Sequence, residues 1–197
     1  MSRASSSSFS RQPKIPEGHS PRVTLVLGGA RSGKSKYAQE LAEHMCKAPL
    51  YLATAEVCDR EMAARVRHHK ASRGLRWACI EESLDVAAVI RKAMPRCDGV
   101  LMDCVTLWLT NVMLKEGRRA VPRRTRELIK ALRQSRRRVI LVANEVGMGI
   151  VPATPLGREF RDEAGWLNQA LAAAVDTVVL VVAGLPMALK GELECVD

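Results

Sequence analysis

From residue 22 onward the chain repeats one pattern: a short unbroken apolar run, a polar or glycine break, then apolar positions at helical spacing. The runs at 23–27, 50–53, 77–80, 100–104, 139–144 and 177–182 predict strands, the first of them buried. Between them, Ala38, Leu41, Ala42 and Met45 predict a helix over 35–45, and further helices are expected at 59–69, 84–94 and 107–114. Phe160, Ala164, Leu167, Leu171 and Val175 mark a long amphipathic helix before the run at 177–182. Strands alternating with helices imply an α/β fold, a mainly parallel sheet with helices on both faces. Residues 1–20 are rich in Ser, carry Arg3, Arg11 and Lys14, and hold no apolar block. They read as a disordered tail, leaving 21–197 as one domain.

Composition changes this picture little. A chain of 197 residues with 47% hydrophobic and 26% charged residues can close one full core. Only 4% are aromatic, so that core rests on Leu, Val, Ala and Met. No apolar run approaches the ~20 residues of a membrane span, and the tail lacks the hydrophobic stretch of a secretory signal. A transit-type peptide is only weakly supported. The six cysteines are scattered without a C-x-x-C pair, which suggests reduced thiols in a cytosolic protein rather than a disulfide framework or zinc site.

Charge is more informative. The net +10 is mostly one segment: from Lys115 to Arg138 there are eleven Lys or Arg against Glu116 and Glu127. Leu128, Ala131 and Leu132 give that segment an apolar side, so it reads as an exposed helix with a basic face. The alternative is a surface that attracts an anionic substrate or partner.

Gly28, Gly29, Ala30, Arg31, Ser32, Gly33, Lys34 and Ser35 fit G-x-x-x-x-G-K-[ST] between a predicted strand and a predicted helix. The glycines let consecutive N–H groups turn inward around phosphate oxygens, where a Cβ would obstruct them. The helix that follows offers its positive end, Lys34 can reach the β- and γ-phosphates, and Ser35 can ligate Mg²⁺. A chain of this length matches by accident on the order of 1% of the time or less. Asp103 ends the fourth apolar run, where the second Mg²⁺-holding residue of such sites lies, although many strands end in Asp.

Two further segments invite chemistry. Glu145 opens the loop Asn144-Glu145-Val146-Gly147-Met148-Gly149-Ile150-Val151-Pro152, which has little charge for a surface loop. Loops at strand C-terminal ends face the ligand in open α/β sheets, so a bulky, partly apolar substrate would suit it. The helix at 59–69 ends in His68 and His69, with Lys70 and Arg73 following. A histidine pair on a charged helix is ordinarily a solvated surface feature.

Taken with Tyr51-Leu52-Ala53-Thr54-Ala55, Glu61-Met62, Arg65-Val66, Trp77, Glu81-Glu82, Asp103-Cys104 and Leu107-Trp108-Leu109-Thr110-Asn111, these blocks resemble a known family. The loop at 144–152 and Phe160-Arg161-Asp162, Gly165 and Asn168-Gln169 complete the likeness, which runs from Val23 to Lys190. The family is the bifunctional adenosylcobinamide kinase/adenosylcobinamide-phosphate guanylyltransferase of cobalamin biosynthesis. The resemblance implies a RecA-like P-loop fold and two reactions. One phosphorylates the cobinamide side-chain hydroxyl with ATP or GTP; the other passes GMP from GTP to that phosphate through a guanylyl-histidine. The histidine it implies is His69. The nucleotide contacts it implies are the phosphate loop, Ala53, Thr54 and Ala55, then Lys70, Ala71, Ser72 and Arg73, with Glu81 and Asp103. It also implies a homotrimer with sites between subunits.

An imidazole, with an ordinary pKa of ~6.5, is largely neutral at pH 7 and can attack the α-phosphorus without a strong base. Arg65, Lys70 and Arg73 would neutralise the polyphosphate. A helical wheel places His69 beside Met62 and Val66 and His68 about 100° away beside Glu61, so His68 stays the alternative nucleophile. Gly74 stands where the family often has proline after the arginine, and neither the tail nor the stretch Arg118 to Arg126 carries a transferable family role. Two other readings stay open: a RecA-like nucleic-acid-binding ATPase, and a P-loop small-molecule kinase with inert histidines. Against the first, no aromatic residue falls between Lys115 and Arg138 to stack bases.

Overall fold

The computed structural model describes residues 22–55, 76–92 and 96–194. Its elements in chain order are β1 (Val23–Gly28), α1 (Lys34–Met45), β2 (Pro49–Ala53), β3 (Ala78–Glu81), α2 (Val86–Lys92), β4 (Gly99–Asp103) and α3 (Val105–Lys115). A 3₁₀ turn at Arg118–Ala120 leads into α4 (Val121–Gln134), β5 (Arg138–Asn144), α5 (Pro155–Ala174), β6 (Thr177–Val182) and β7 (Leu185–Lys190). The helix expected at 59–69 lies outside the described residues.

The strands form one seven-stranded sheet in the order β3-β2-β4-β5-β1-β6-β7. Strands β1 to β6 pair in parallel, as the alternation of elements requires, and β7 adds antiparallel to β6. All six residues of β1 are buried, which explains its continuous apolar run: both of its faces are covered. On one face Leu25, Leu50, Met102 and Leu141 pack with Trp108 and Leu109 of α3, Leu128 and Leu132 of α4, and Leu167 and Leu171 of α5. The other face carries Val26, Tyr51, Leu101 and Val142 against Tyr37, Ala38 and Leu41 of α1.

Strand β7 was not anticipated, because Leu185, Met187 and Leu189 are exposed and no buried periodicity marks it. It follows β6 through Ala183 and Gly184, whose φ angles of 53° and 81° are the positive pair that a type I′ hairpin turn needs. Helix α5 also begins earlier than Phe160, since Thr154 accepts a hydrogen bond from Gly157 N–H (3.2 Å) and Pro155 suits the first helical position.

In the basic segment, Leu128, Ala131 and Leu132 are buried as expected. Its cations are less free than the sequence suggests. Arg123 and Arg124 clasp Glu116 and Glu127, and Arg118 pairs with the buried Glu163 at 2.6 Å while lying 6.0 Å from the centre of the Trp166 ring. Arg137 Nε donates to Cys97 C=O (2.8 Å), and Arg138 donates to Met45 C=O. These two arginines join loops to the sheet rather than facing solvent as a bare cationic surface.

Candidate active site

The C-terminal ends of β2, β3, β4, β5 and β1 place the candidate residues along one row. Across the sheet Glu81 pairs with Ala53, Ala53 with Asp103, Asp103 with Val142, and Gly28 with Asn144. Paired residues of parallel strands share a face, and for this row it is the face on which α1 packs. Ala53, Glu81 and Asp103 therefore stand side by side at the strand ends, on the face that α1 covers further along the sheet.

Gly28 leaves β1 where a Cβ would meet Ser32 Oγ at 2.4 Å and Val181 C=O at 2.7 Å, so no larger residue fits. Ala30 and Arg31 are exposed at the outer curve, and Ser32 N–H donates to Gly29 C=O (3.3 Å). Gly33 takes φ 95° and caps α1, whose first residues are Lys34 and Ser35. Lys34 is buried along its stem, and its Nζ donates to Gly29 C=O at 3.1 Å. Burial lowers its pKa, and the nearby Asp103 carboxylate opposes that drop. Ser32 Oγ is buried and has no hydrogen-bond partner among the described residues, a polar atom inside the loop suited to a phosphate oxygen. The β6–β7 turn supports the loop from outside: Gly184 N–H donates to Ser32 C=O (2.8 Å).

Asp103 Oδ2 accepts from the Tyr51 hydroxyl at 3.1 Å, which fixes the carboxylate at the end of β4. The peptide bond that follows, Asp103–Cys104, is cis. Thr54 closes this corner. Its hydroxyl donates to Cys104 C=O and accepts from Cys104 N–H, both at 2.8 Å, and the side chain is fully buried. Asn111 Nδ2 then donates to Thr54 C=O (2.8 Å) and Ser83 C=O (3.2 Å). The Thr54 side chain thus faces the corner of the protein, and Ala53 and Ala55 flank it. Cys104 is buried, which pushes its thiol up to about 11 and keeps it neutral.

Beyond β5, Glu145 N–H donates to Gly28 C=O (3.1 Å), and Glu145 Oε1 accepts from Gly147 N–H (2.7 Å). The loop then presents Met148, Ile150 and Val151 to solvent, joined by Leu156 of α5, with Ile150 97% exposed. This is an apolar lip next to the phosphate loop. Arg158 holds its far end by donating to Pro152 C=O (3.0 Å) and Ala153 C=O (2.8 Å).

His69, its alternative His68, and Lys70, Ala71, Ser72 and Arg73 lie outside the described residues. The chain returns at Arg76 and Trp77, which bond Glu43 of α1, and Trp77 meets Tyr51 edge to face with centroids 6.4 Å apart. The sequence carried no role for Thr54 as a backbone clamp, nor for Thr106, Asn168 and Gly184. Each acts through bonds to distant main chain, which local spacing does not reveal.

A phosphate loop on a central strand, an acidic residue two strands away in the sheet order and a mainly parallel sheet define a P-loop nucleotide-binding protein of the RecA-like class. Solved ATPases support the fold alone. A prototypical ATPase of a type III secretion system superposes with TM-score 0.53 at 12% identity over 85% of this chain and 56% of that one. The assembled ATPase EscN of enteropathogenic E. coli gives TM-score 0.53 at 13% identity over 83% of this chain and 43% of its own.

Sequence comparison narrows the class. Residues 24–189 match the family described as cobinamide kinase / cobinamide phosphate guanyltransferase. The bifunctional adenosylcobalamin biosynthesis protein CobP of Pseudomonas aeruginosa is 45% identical over 168 residues, covering 85% of this chain and 97% of the relative. The corresponding CobU proteins of Salmonella typhimurium and Escherichia coli are 41% and 40% identical over 85% of this chain and 99% of their own length. The chain belongs to the cobinamide kinase / cobinamide phosphate guanyltransferase family, and is an enzyme of the kinase and nucleotidyltransferase class.

Proposed function

We propose that this enzyme phosphorylates the side-chain hydroxyl of adenosylcobinamide with ATP or GTP. It then transfers GMP from GTP to the new phosphate through a guanylyl-histidine on His69, giving adenosylcobinamide-GDP. The observation that carries the first step is the row at the strand ends, which brings the phosphate loop, Asp103 and Ala53 to one side of the sheet. The exposed apolar lip of Met148, Ile150 and Val151 follows directly from β5, a strand of that row, and suits a broad corrinoid substrate.

Mg²⁺ fits the donor set. Ser35 supplies a hydroxyl and Asp103 a carboxylate, both hard oxygen ligands, with no cluster of three or more acidic, His or Cys side chains among the described residues. Such sparse protein ligation is normal where phosphates and water complete the shell, and the ion would offset charge on the β- and γ-phosphates. Lys34 would turn from Gly29 C=O onto the same oxygens. Family likeness further supports a cytoplasmic homotrimer with sites between subunits and residues 21–197 as one domain. No described helix is long and apolar enough to cross a membrane.

Incubation with GTP followed by peptide mapping tests the second step. A GMP adduct on His69, labile in acid and stable in alkali, is expected. His69→Ala should abolish it and the guanylyl transfer while corrinoid phosphorylation largely persists, because direct transfer to an alcohol needs no protein nucleophile. An adduct on His68 would move the nucleophile by one residue, and GMP transfer without any histidine adduct would remove the covalent mechanism.

A further inference from the structure

Strand β5 lies between β1, which carries the phosphate loop, and β4, which carries Asp103. Its last residue is Asn144. The register sets Asn144 opposite Gly28, the first residue of the phosphate loop, and two residues past Val142, the partner of Asp103. Along a strand, residues two apart share a face, and Ile140 and Val142 pack on the α1 face. Asn144 is the next position on that face, so it stands in the gap between the phosphate loop and Asp103.

Its backbone is held from three directions. Asn144 N–H donates to Thr106 Oγ1 (2.7 Å), its C=O accepts from Asn168 Nδ2 (3.3 Å), and the next residue's N–H donates to Gly28 C=O (3.1 Å). Thr106 and Asn168 are themselves buried. The carboxamide of Asn144, by contrast, makes no hydrogen bond among the described residues, and it is only half-buried. A side chain whose main chain is fixed so fully, and whose two N–H donors are left for something else, is arranged for a ligand rather than for the fold.

We infer that Asn144 contacts the transferring γ-phosphoryl group, Nδ2 donating to one of its non-bridging oxygens. This rests on the kinase reading above. In that step the acceptor hydroxyl oxygen bonds to the γ-phosphorus, the bond from that phosphorus to the β–γ bridging oxygen breaks, and the nucleoside diphosphate leaves with the electron pair. The hydroxyl proton departs to solvent. Negative charge redistributes over the non-bridging oxygens as this happens, and a fixed neutral donor in the gap stabilises it without adding a charge. A carboxylate there would accept only, and would repel the phosphoryl group.

The test compares Asn144→Ala and Asn144→Asp with wild type. The Asp variant has nearly the same shape, and the clamps from Thr106 and Asn168 bind main chain, so both variants should keep the wild-type melting temperature. Corrinoid phosphorylation should fall on the order of 10²-fold in kcat for Asn144→Ala, and at least as far for Asn144→Asp. Histidine guanylylation, which breaks the α–β linkage, should at saturating GTP lose less in kcat than phosphorylation does, with its loss falling mainly in the KM for GTP. Calorimetric titration with GTP and with GDP should show the preference for GTP reduced about tenfold in Asn144→Ala and reversed in Asn144→Asp. That last measurement needs no acceptor, so it decides the role of Asn144 even if wild type fails to phosphorylate adenosylcobinamide, a result that would instead sink the kinase reading. Kinase turnover within threefold of wild type in both variants, with the GTP preference intact, overturns the inference. So does an equal loss of GTP and GDP binding accompanied by a lower melting temperature.

Discussion

The two ends of the sheet are fastened by different chemistry. At the N-terminal end of the strands the fasteners are ions: Asp98 accepts from Lys47 and Ala48 N–H, Asp176 from Arg22 and Val23 N–H, and Arg137 and Arg138 donate to main-chain carbonyls. Lys190 adds a cation at the C-terminus of α5, bonding Ala172 and Val175 C=O, where the helix dipole favours positive charge. At the C-terminal end the straps around Asp103 and Asn144 are neutral, the hydroxyls of Thr54, Thr106 and Tyr51 and the carboxamides of Asn111 and Asn168, while the charged Glu145 and Arg158 hold only the loop after β5. The difference has a physical reason. A guanidinium used as a strap in the gap between the phosphate loop and Asp103 would be drawn to the polyphosphate, and a carboxylate there would repel it. Neutral straps leave the electrostatics of the site to residues such as Lys34 and Asp103.

Changing a charge at the two ends should therefore have opposite consequences. The largest effect is expected for Lys34→Ala, which removes a charge-assisted contact to the β- and γ-phosphates. Phosphorylation should fall by on the order of 10³-fold or more, with triphosphate affinity, while the melting temperature holds. Unchanged kinase turnover would break the assignment of the whole loop.

Next comes a neutral strap. Thr54→Val keeps the volume but strands Cys104 N–H without a partner and leaves Cys104 C=O only the bond from Trp108 N–H. That should cost roughly 1–3 kcal/mol, a fall of about 3–10 °C in melting temperature, together with a loss in kcat as Asp103 is released. Thr54→Ser keeps the hydroxyl and should restore most of both. A Val variant that melts like wild type would show the clamp to be dispensable.

Smaller still, and confined to stability, is the ionic end. Arg137→Gln and Arg138→Gln should each cost about 1 kcal/mol while kcat/KM stays within a few-fold, measured by thermal melts beside steady-state assays. A collapse of activity without loss of stability would revive the basic segment as a functional surface.

The smallest effect concerns pH. Burial pulls the Asp98 carboxyl upward, but the N–H groups of Lys47 and Ala48 win, and its pKa lies below the ordinary 3.8. A depressed folded value means stabilisation present above the unfolded pKa and lost as pH falls through the folded one. The stability gap between wild type and Asp98→Asn should thus be widest near neutrality and close below about pH 4. A gap independent of pH would mean that Asp98 acts through shape alone.

The phosphate loop and the six parallel strands were legible because each is a local pattern: a glycine-lysine motif, or a short apolar run, covered on both faces in β1 and only partly in the edge strand β3. Asp103 was readable only as the polar end of such a run, and its fastening to Tyr51 was not, since 52 positions separate them in sequence. The same holds for Thr54, whose bonds reach Cys104 fifty positions away. Strand β7 escaped for another reason: an edge strand facing solvent has no burial to impose a period. The ion pair of Arg118 escaped because its partner Glu163 lies on a helix 45 positions on.

The turn at Ala183 and Gly184 has one more implication, for the order in which the protein matures on the ribosome. The phosphate loop lies near the start of the chain, yet Gly184 N–H holds Ser32 C=O, and a Cβ on Gly33 would touch Gly184 Cα at 3.1 Å. A nascent chain extending only through β5 already contains every residue of the glycine-lysine motif but not the wall against which the motif is shaped. The wall that braces the motif is therefore made about 150 positions after the motif itself, with the hairpin that follows the sixth strand.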